Sequence, residues 1–200
     1  MNTIDTIEAL EALYDAPVPA SLTKVACDIT PLYARWIEAS RFLVLSTVGP
    51  EGTDCSPRGD VGPVVRIADG KTLLLPDWQG NNRVDTLSNI VRDERVSLMF
   101  IVPGSTTVVR VNGTAIVTAD ADLCQSFEQR GRHPRTVVVI TIGEMYTQCA
   151  KALLRSETWT SGDQSHLVPT AGQIAKERDV TVDAAEYDRT YVENAQDRMW

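Results

Sequence analysis

Two asparagines and an arginine follow a short, strongly apolar strand and form a candidate anion-binding turn. Asn81, Asn82 and Arg83 come after the segment TLLLPDWQG, and the apolar spacing that follows them predicts a helix. A helix start offers unpaired backbone N–H groups and the positive end of the helix dipole, and a guanidinium can add two charge-assisted hydrogen bonds. The turn therefore predicts a site for a phosphate group.

A purely structural interpretation of the same turn is also open. Asn is a preferred N-cap, so Asn81 or Asn82 could cap the helix while Arg83 faces water. The segment CSPRGDVGPVVRI favours the binding interpretation, because it places Arg58 on what the pattern predicts to be the neighbouring strand. Two arginines would then converge on one pocket.

Composition and charge exclude several other kinds of site. The 200 residues carry a formal net charge of −8 and no long basic run, so a nucleic-acid partner is not expected. The two histidines, His133 and His166, have no Cys or Ser partner at a nucleophile spacing. No CxxC pair occurs, which argues against a zinc site or a disulfide framework and predicts reduced thiols at Cys27, Cys55, Cys124 and Cys149.

The first residues and the hydropathy pattern bear on the compartment. The segment MNTIDTIEALEALYDAP is acidic and amphipathic, unlike a leader with a basic start and an apolar centre. No apolar run approaches the length of a bilayer span. We expect a soluble, cytoplasmic protein.

The period of the apolar residues predicts the elements that must position the turn. Residues 4–14 and Pro31–Ser40 read as helices, and from Arg41 onward short β-type runs alternate with turns. A helix over about 82–92 interrupts the strands. About six antiparallel strands with few long crossovers predict a mainly β fold with flanking helices, a closed or split β-barrel.

Three regions follow from this pattern. Residues 1–40 are expected to be helices that pack on the barrel, residues 41–148 the barrel itself, and residues 149–200 a helical segment of the same domain. The last region carries Trp159, Tyr187, Tyr191 and Trp200, which is too many large aromatic side chains for a free tail. We expect it to pack on the barrel or on a partner chain.

Four blocks in this order resemble the pyridoxamine 5′-phosphate oxidase superfamily. They are SPRGD, LLLPDWQGNNRVDTLSNI, VSLMFIVPG and VVRVNGTA, and with CAKALLRSETW they resemble its uncharacterised FMN-binding branch. The resemblance covers about residues 41–159. It implies an FMN-binding split β-barrel, a homodimer with two FMN sites between the subunits, a small-molecule substrate and oxidoreductase activity.

The resemblance also implies which residues hold the cofactor. Arg58, Asn81, Asn82 and Arg83 would bind the FMN phosphate. The ribityl chain and the isoalloxazine ring would lie along Ser56, Pro57, Arg58 and Gly59 and along Leu75, Pro76 and Asp77. Arg110 lies in the block that would reach the flavin of the opposite subunit, where this chain has Val or Thr in place of the glutamine of the vitamin oxidase.

The helix at 149–159 allows two interpretations. Lys151 and Arg155 lie four residues apart and share a helix face. They form either a solvated basic stripe or a cationic cover over the flavin, with Trp159 as a wall of the pocket. Cys149 has no assigned role.

The substrate side departs from the vitamin oxidase. The strand lysine that would hold a substrate phosphate is absent after Arg58, and the arginine and histidine pair expected near the end of the chain is replaced by NAQDRMW. Vitamin B6 oxidation is therefore not predicted. Besides an oxidoreductase, a flavin-storage module and a binder of haem or a deazaflavin remain alternatives.

Overall fold

The computed structural model describes all 200 residues, Met1–Trp200. Most of its strands are rich in β-branched or aliphatic residues, which suits a half-buried pleated surface. There are seven of them: β1 (Phe42–Gly49), β2 (Gly52–Gly59), β3 (Arg66–Asp69), β4 (Thr72–Asp77), β5 (Arg95–Ile101), β6 (Val108–Thr118) and β7 (Thr136–Gln148).

Eight helices flank the strands, and most are short. Pro19 and Pro31 occupy first-turn positions, where the missing N–H has no cost. The helices are α1 (Ile7–Glu11), α2 (Pro19–Thr23), α3 (Pro31–Ala39), α4 (Asp85–Arg92), α5 (Ala121–Gln125), α6 (Lys151–Arg155), α7 (Ala171–Arg178) and α8 (Ala184–Gln196), with a 3₁₀ turn at Ser165–Leu167.

All strands join one antiparallel sheet in the order β2-β1-β5-β6-β7-β4-β3. β2 and β4 stand near opposite ends of this order, yet the sheet curls until Arg58 on β2 reaches Asp77 on β4. The opening between these two strands is the split of the barrel. The predicted fold, an antiparallel split β-barrel with flanking helices, is confirmed.

The core lies inside the curled sheet. Alternate residues of the strands point inward, as the period of two requires. On β1 these are Leu43 and Leu45, and on β5 they are Leu98 and Phe100. Ile37 of α3 and Ile90 of α4 belong to the same cluster and are fully buried.

A bulge bends the two longest strands. The register between β6 and β7 shifts at Asn112 and Gly113, and a Cβ on Gly113 would lie 2.0 Å from the carbonyl oxygen of Thr141. Only glycine allows this close approach of two backbones. The register shift is therefore a β-bulge, which a glycine inside a long strand favours.

The first forty residues differ from the expectation. α3 packs on the barrel, and Ala26 pairs with Met145 of β7, but α1 has no buried residue. The apolar side chains at Ile7, Leu10 and Leu13 are exposed. Amphipathic spacing predicted the apolar face of this segment, yet in the single chain that face has no neighbour.

None of the eight helices combines the length and the apolar composition that a bilayer span requires.

Candidate functional site

The split between β2 and β4 opens into a cleft of about 1090 Å³. The end of β2, the end of β4 and the turn before α4 form one side of it. This volume lies just above the range that is typical of small-molecule sites. The cleft contains ten residues that the sequence assigned to cofactor binding: Ser56, Pro57, Arg58, Gly59, Leu75, Pro76, Asp77, Asn81, Asn82 and Arg83.

An ion pair crosses the cleft floor. Arg58 Nη1 donates to Asp77 Oδ1 at 2.6 Å, and both side chains are about one fifth exposed. The two strands are not hydrogen-bonded neighbours, which corrects the predicted strand adjacency: curvature of the sheet, and not pairing, brings Arg58 to the turn. The carboxylate fixes the direction of the guanidinium.

Two polar side-chain atoms of the cleft are buried without a hydrogen-bond partner. They are Arg58 Nε and Thr136 Oγ1, and they are the only such side-chain atoms in the protein. Thr136 begins β7 and stands opposite Asp77 in the β4–β7 register. Buried donors are almost always paired in native structures, so both atoms indicate a ligand that offers an acceptor at this point.

The predicted anion turn lies before the helix and does not start it. α4 begins at Asp85, and Val84 occupies its N-cap position without a side-chain cap, so neither Asn81 nor Asn82 caps it. Asn81 Oδ1 instead accepts from the Arg83 amide at 3.0 Å, and Asn82 has a φ of +60°, a conformation that Asn tolerates well. The residues form a tight turn beside the cleft.

The Arg83 side chain is directed along the helix start. Its guanidinium pairs with Asp85 at 2.8 Å and is 78% exposed. An exposed ion pair of this kind is weak, so the side chain is free to turn toward an anion in the cleft.

Helix α4 is tied to the barrel, which holds the turn in place. Thr86 Oγ1 donates to Asp54 of β2, and Asn89 Nδ2 donates to Thr47 of β1 at 3.1 Å. The side chains of Thr86 and Thr47 are buried, so these bonds are shielded from water.

The cleft has a further wall that the sequence reasoning missed. The turn between α5 and β7 contributes Arg132, His133 and Arg135, the start of β7 contributes Thr136, and α8 with the residues after it contributes Tyr191, Met199 and Trp200. The run RGRHPRT before a strong β-branched strand was the available signal for the first group. No local pattern indicated that the α8 segment would return to the cleft.

Four residues assigned to the cofactor do not line the cleft of their own chain. Trp159 Nε1 donates to the Ser105 carbonyl at 2.7 Å, in the loop between β5 and β6. Arg110 lies over the ring of Tyr146, 5.3 Å from its centre. Lys151 and Arg155 are exposed on α6. Their assignment stays a prediction that depends on a second subunit.

Cys149 precedes α6 and has an unusual electrostatic setting. A hydrogen bond from the Lys151 backbone amide lowers the pKa of its thiol, and the charges of Lys151 and Lys24 act in the same direction. The thiol is exposed. A lowered pKa and solvent access together favour the reactive thiolate.

Comparison with solved structures gives several similar chains. HupZ from Group A Streptococcus is 19% identical, with 60% of this chain and 94% of that chain covered and a TM-score of 0.49. A candidate pyridoxamine 5′-phosphate oxidase from Lactobacillus delbrueckii is 22% identical, covering 60% and 95%, with a TM-score of 0.47. General stress protein 26 from Bacillus anthracis is 17% identical, covering 57% and 88%, with a TM-score of 0.44.

The family assignment rests on the sequence. No curated protein matches the chain. The sequence profile of the pyridoxamine 5′-phosphate oxidase family, in contrast, matches residues 29–149, which is more than half of the chain. The matched range contains all seven strands and the turn at 81–83. The chain therefore belongs to the pyridoxamine 5′-phosphate oxidase family.

Proposed function

We propose that the protein binds FMN in the cleft between β2 and β4 and is an FMN-dependent oxidoreductase that acts on a small molecule. The observation that supports this most directly is the pair of buried, unpartnered atoms, Arg58 Nε and Thr136 Oγ1. A phosphate offers acceptor oxygens to an arginine N–H and to a hydroxyl at the same time. Arg83 stands at the same cleft and adds a second cation.

The rest of the cleft suits the other parts of FMN. Leu75 and Val64 are buried and apolar, and Pro57 and Pro76 lie beside them. Trp78 is fixed at the rim because its Nε1 donates to Asp60 at 2.8 Å. Ligand sites commonly combine such apolar walls with a few convergent polar groups, and an isoalloxazine ring needs both.

When bound, FMN supplies the redox chemistry, so the protein needs no nucleophile of its own. The part of the chain is to bind the cofactor and to orient it. Arg58 and Arg83 would donate hydrogen bonds to the phosphate, Asp77 would hold the Arg58 guanidinium in place, and the apolar walls would keep water away from the ring.

We also propose that two copies associate through the outer face of β1, β5, β6 and β7. Cross-strand partners place Val44, Met99, Arg110 and Tyr146 in one row on this face. Met99 is 36% exposed, and Phe42 in the next row is 39% exposed. Exposed apolar side chains in neighbouring rows, such as Met99 and Phe42, are typical of association surfaces. Pairing there would place Arg110, Lys151, Arg155 and Trp159 nearer a partner's cleft than their own.

The first test is the visible absorption spectrum of the freshly purified protein, with mass-spectrometric identification of any chromophore released on denaturation. About one FMN per chain is the expected result, as one cleft is present in each chain. A colourless, folded protein that does not take up added FMN would overturn the proposal. Reduction of the bound flavin by NADH or NADPH, followed by electron transfer to an acceptor, distinguishes an enzyme from a flavin-storage module.

Haem is the second candidate ligand, and His133 is the observation that favours it. His133 lines the cleft, and its Nδ1 lies 2.6 Å from the Phe127 carbonyl oxygen. With Nδ1 as the donor, Nε2 remains available to a metal. A haem spectrum that is lost in His133→Ala would support this alternative against FMN.

A further inference from the structure

Helices α7 and α8 form a hairpin that is held together by its own contacts. A Cβ on Gly172 would lie 2.4 Å from the Ala184 carbonyl oxygen, so the two helices touch at this point. Asp188 of α8 accepts from the Gly172 amide at 2.8 Å and from the Thr170 hydroxyl. No residue of α8 is buried. The hairpin is therefore a unit that packs mainly on itself.

The residues after α8 fasten this unit to the barrel. Trp200 is only 8% exposed. The Arg130 guanidinium lies over its ring, 4.6 Å from the centre, and Arg132 Nη1 donates to the Trp200 carbonyl at 2.6 Å. A cation–π contact to the ring and a charge-assisted hydrogen bond to the backbone thus hold Trp200 against the α5–β7 turn.

The point of attachment is the cleft itself. Met199, Trp200 and Tyr191 line it together with Arg58 and Arg83. Arg132 also reaches Gln79 Oε1 at 3.4 Å, in the segment that leads to the anion turn. One guanidinium therefore connects the hairpin with the side of the cleft where the phosphate is proposed to bind.

We propose that Met199 and Trp200 are a latch that holds the α7–α8 hairpin over the cleft and limits the entry and exit of its ligand. The latch consists of the two contacts that Trp200 makes with Arg130 and Arg132. None of these three residues belongs to a strand or to the barrel core, so breaking the contacts leaves both intact. Only the identity of the ligand, FMN, rests on the function proposed above. An opened latch frees Arg130 and Arg132 and uncovers the cleft.

The kinetic test compares FMN association and dissociation in the full-length protein and in Trp200→Ala by stopped-flow fluorescence. A latch controls passage in both directions, so both rate constants are expected to rise by roughly fivefold, the size of a lost cation–π contact, while the Kd changes less than either. Val180→Ala is the matched control, because Val180 is 84% exposed in the loop between α7 and α8 and does not line the cleft. It should leave both rates unchanged.

A second variant opens the latch from the other side. Arg130→Asn removes the guanidinium, and Asn tolerates the φ of +51° at this position better than most residues. It should raise both rates in the same direction as Trp200→Ala. This variant keeps the kinetic test decisive if Trp200→Ala fails to fold.

A measurement without any flavin tests the latch separately. Trypsin must take an arginine side chain into its own pocket, so cleavage after Arg130 and Arg132 reports whether these side chains are free. Mass spectrometry should show faster initial cleavage at both sites in Trp200→Ala than in the wild type or Val180→Ala.

The outcomes separate the latch from the proposed function. A rise in the dissociation rate alone would make Trp200 a ligand contact and would overturn the latch, as would unchanged rates and unchanged cleavage in both variants. A wild-type protein that takes up no FMN overturns the proposed function, and the trypsin comparison then decides the latch.

Discussion

Arg58 is the residue on which the proposed phosphate site depends most. Arg58→Ala removes the only buried guanidinium N–H that has no partner, and should weaken FMN binding by roughly 10- to 100-fold, the cost of one or two charged hydrogen bonds. Titration with FMN followed by flavin fluorescence measures the change. Arg92→Ala is the control, since Arg92 is exposed at the end of α4 outside the cleft. Equal affinities for wild type and Arg58→Ala would contradict the site.

Thr136→Val is expected to have opposite effects on stability and on binding. Val has nearly the same shape and suits the start of a strand, and the change removes a buried hydroxyl that has no partner. The ligand-free protein should be equally stable or more stable, by up to about 1 kcal/mol, while the affinity for FMN falls several-fold. Thermal unfolding with and without FMN measures both. A loss of stability without FMN would show that the hydroxyl is already paired.

Cys149 should be the most reactive of the four thiols. The Lys151 amide and the nearby lysine charges lower its pKa, so a larger fraction is thiolate at neutral pH than for an ordinary cysteine. Brief alkylation with iodoacetamide at pH 7 should label Cys149 before Cys27 and Cys55, and the buried Cys124 last. Peptide mass spectrometry gives the order. Faster labelling of Cys27 or Cys55 would contradict it.

At the scale of the elements, the β6–β7 bulge decides how the barrel bends. Gly113→Ala places a methyl group 2.0 Å from a backbone oxygen that cannot move without breaking the ladder, and should destabilise the fold by roughly 2 to 3 kcal/mol. Gly62→Ala is the control, because a Cβ there meets nothing within 4 Å. Urea unfolding gives the free energies. A Gly113→Ala variant as stable as Gly62→Ala would show that the strands shift freely.

At the scale of the whole molecule, the outer face of the barrel carries the predicted dimer. Met99→Glu leaves the single chain intact because Met99 is already 36% exposed, but it puts a charge in the centre of the proposed interface. Sedimentation velocity at micromolar concentration should give a dimer for the wild type and for Val180→Glu, whose residue is exposed in the loop between α7 and α8, and a monomer for Met99→Glu. A monomeric wild type would contradict the dimer.

Local sequence patterns were enough to predict the strands and half of the site. Short apolar and β-branched runs such as FLVLSTV and TVVVITIG favour strands, and the order of the motif blocks matches one family. The residues of the cleft that are close in sequence, from Leu75 to Arg83, were therefore predictable. The arginine and the two asparagines that give this segment its chemistry are adjacent in sequence and follow an apolar strand directly.

The other residues of the cleft are distant in sequence, and tertiary contacts bring them together. Curvature of the sheet brings Arg58 to Asp77 although their strands are not paired, and the β4–β7 register puts Thr136 beside them. Packing also sets where the helix begins. Thr86 and Ile90 are buried, and α4 begins at Asp85, three residues after the start at about residue 82 that the sequence predicted. Trp200 reaches the cleft because Arg130 and Arg132 hold it there. Long-range contacts of this kind leave no periodic trace in the chain, so no sequence pattern could have placed them.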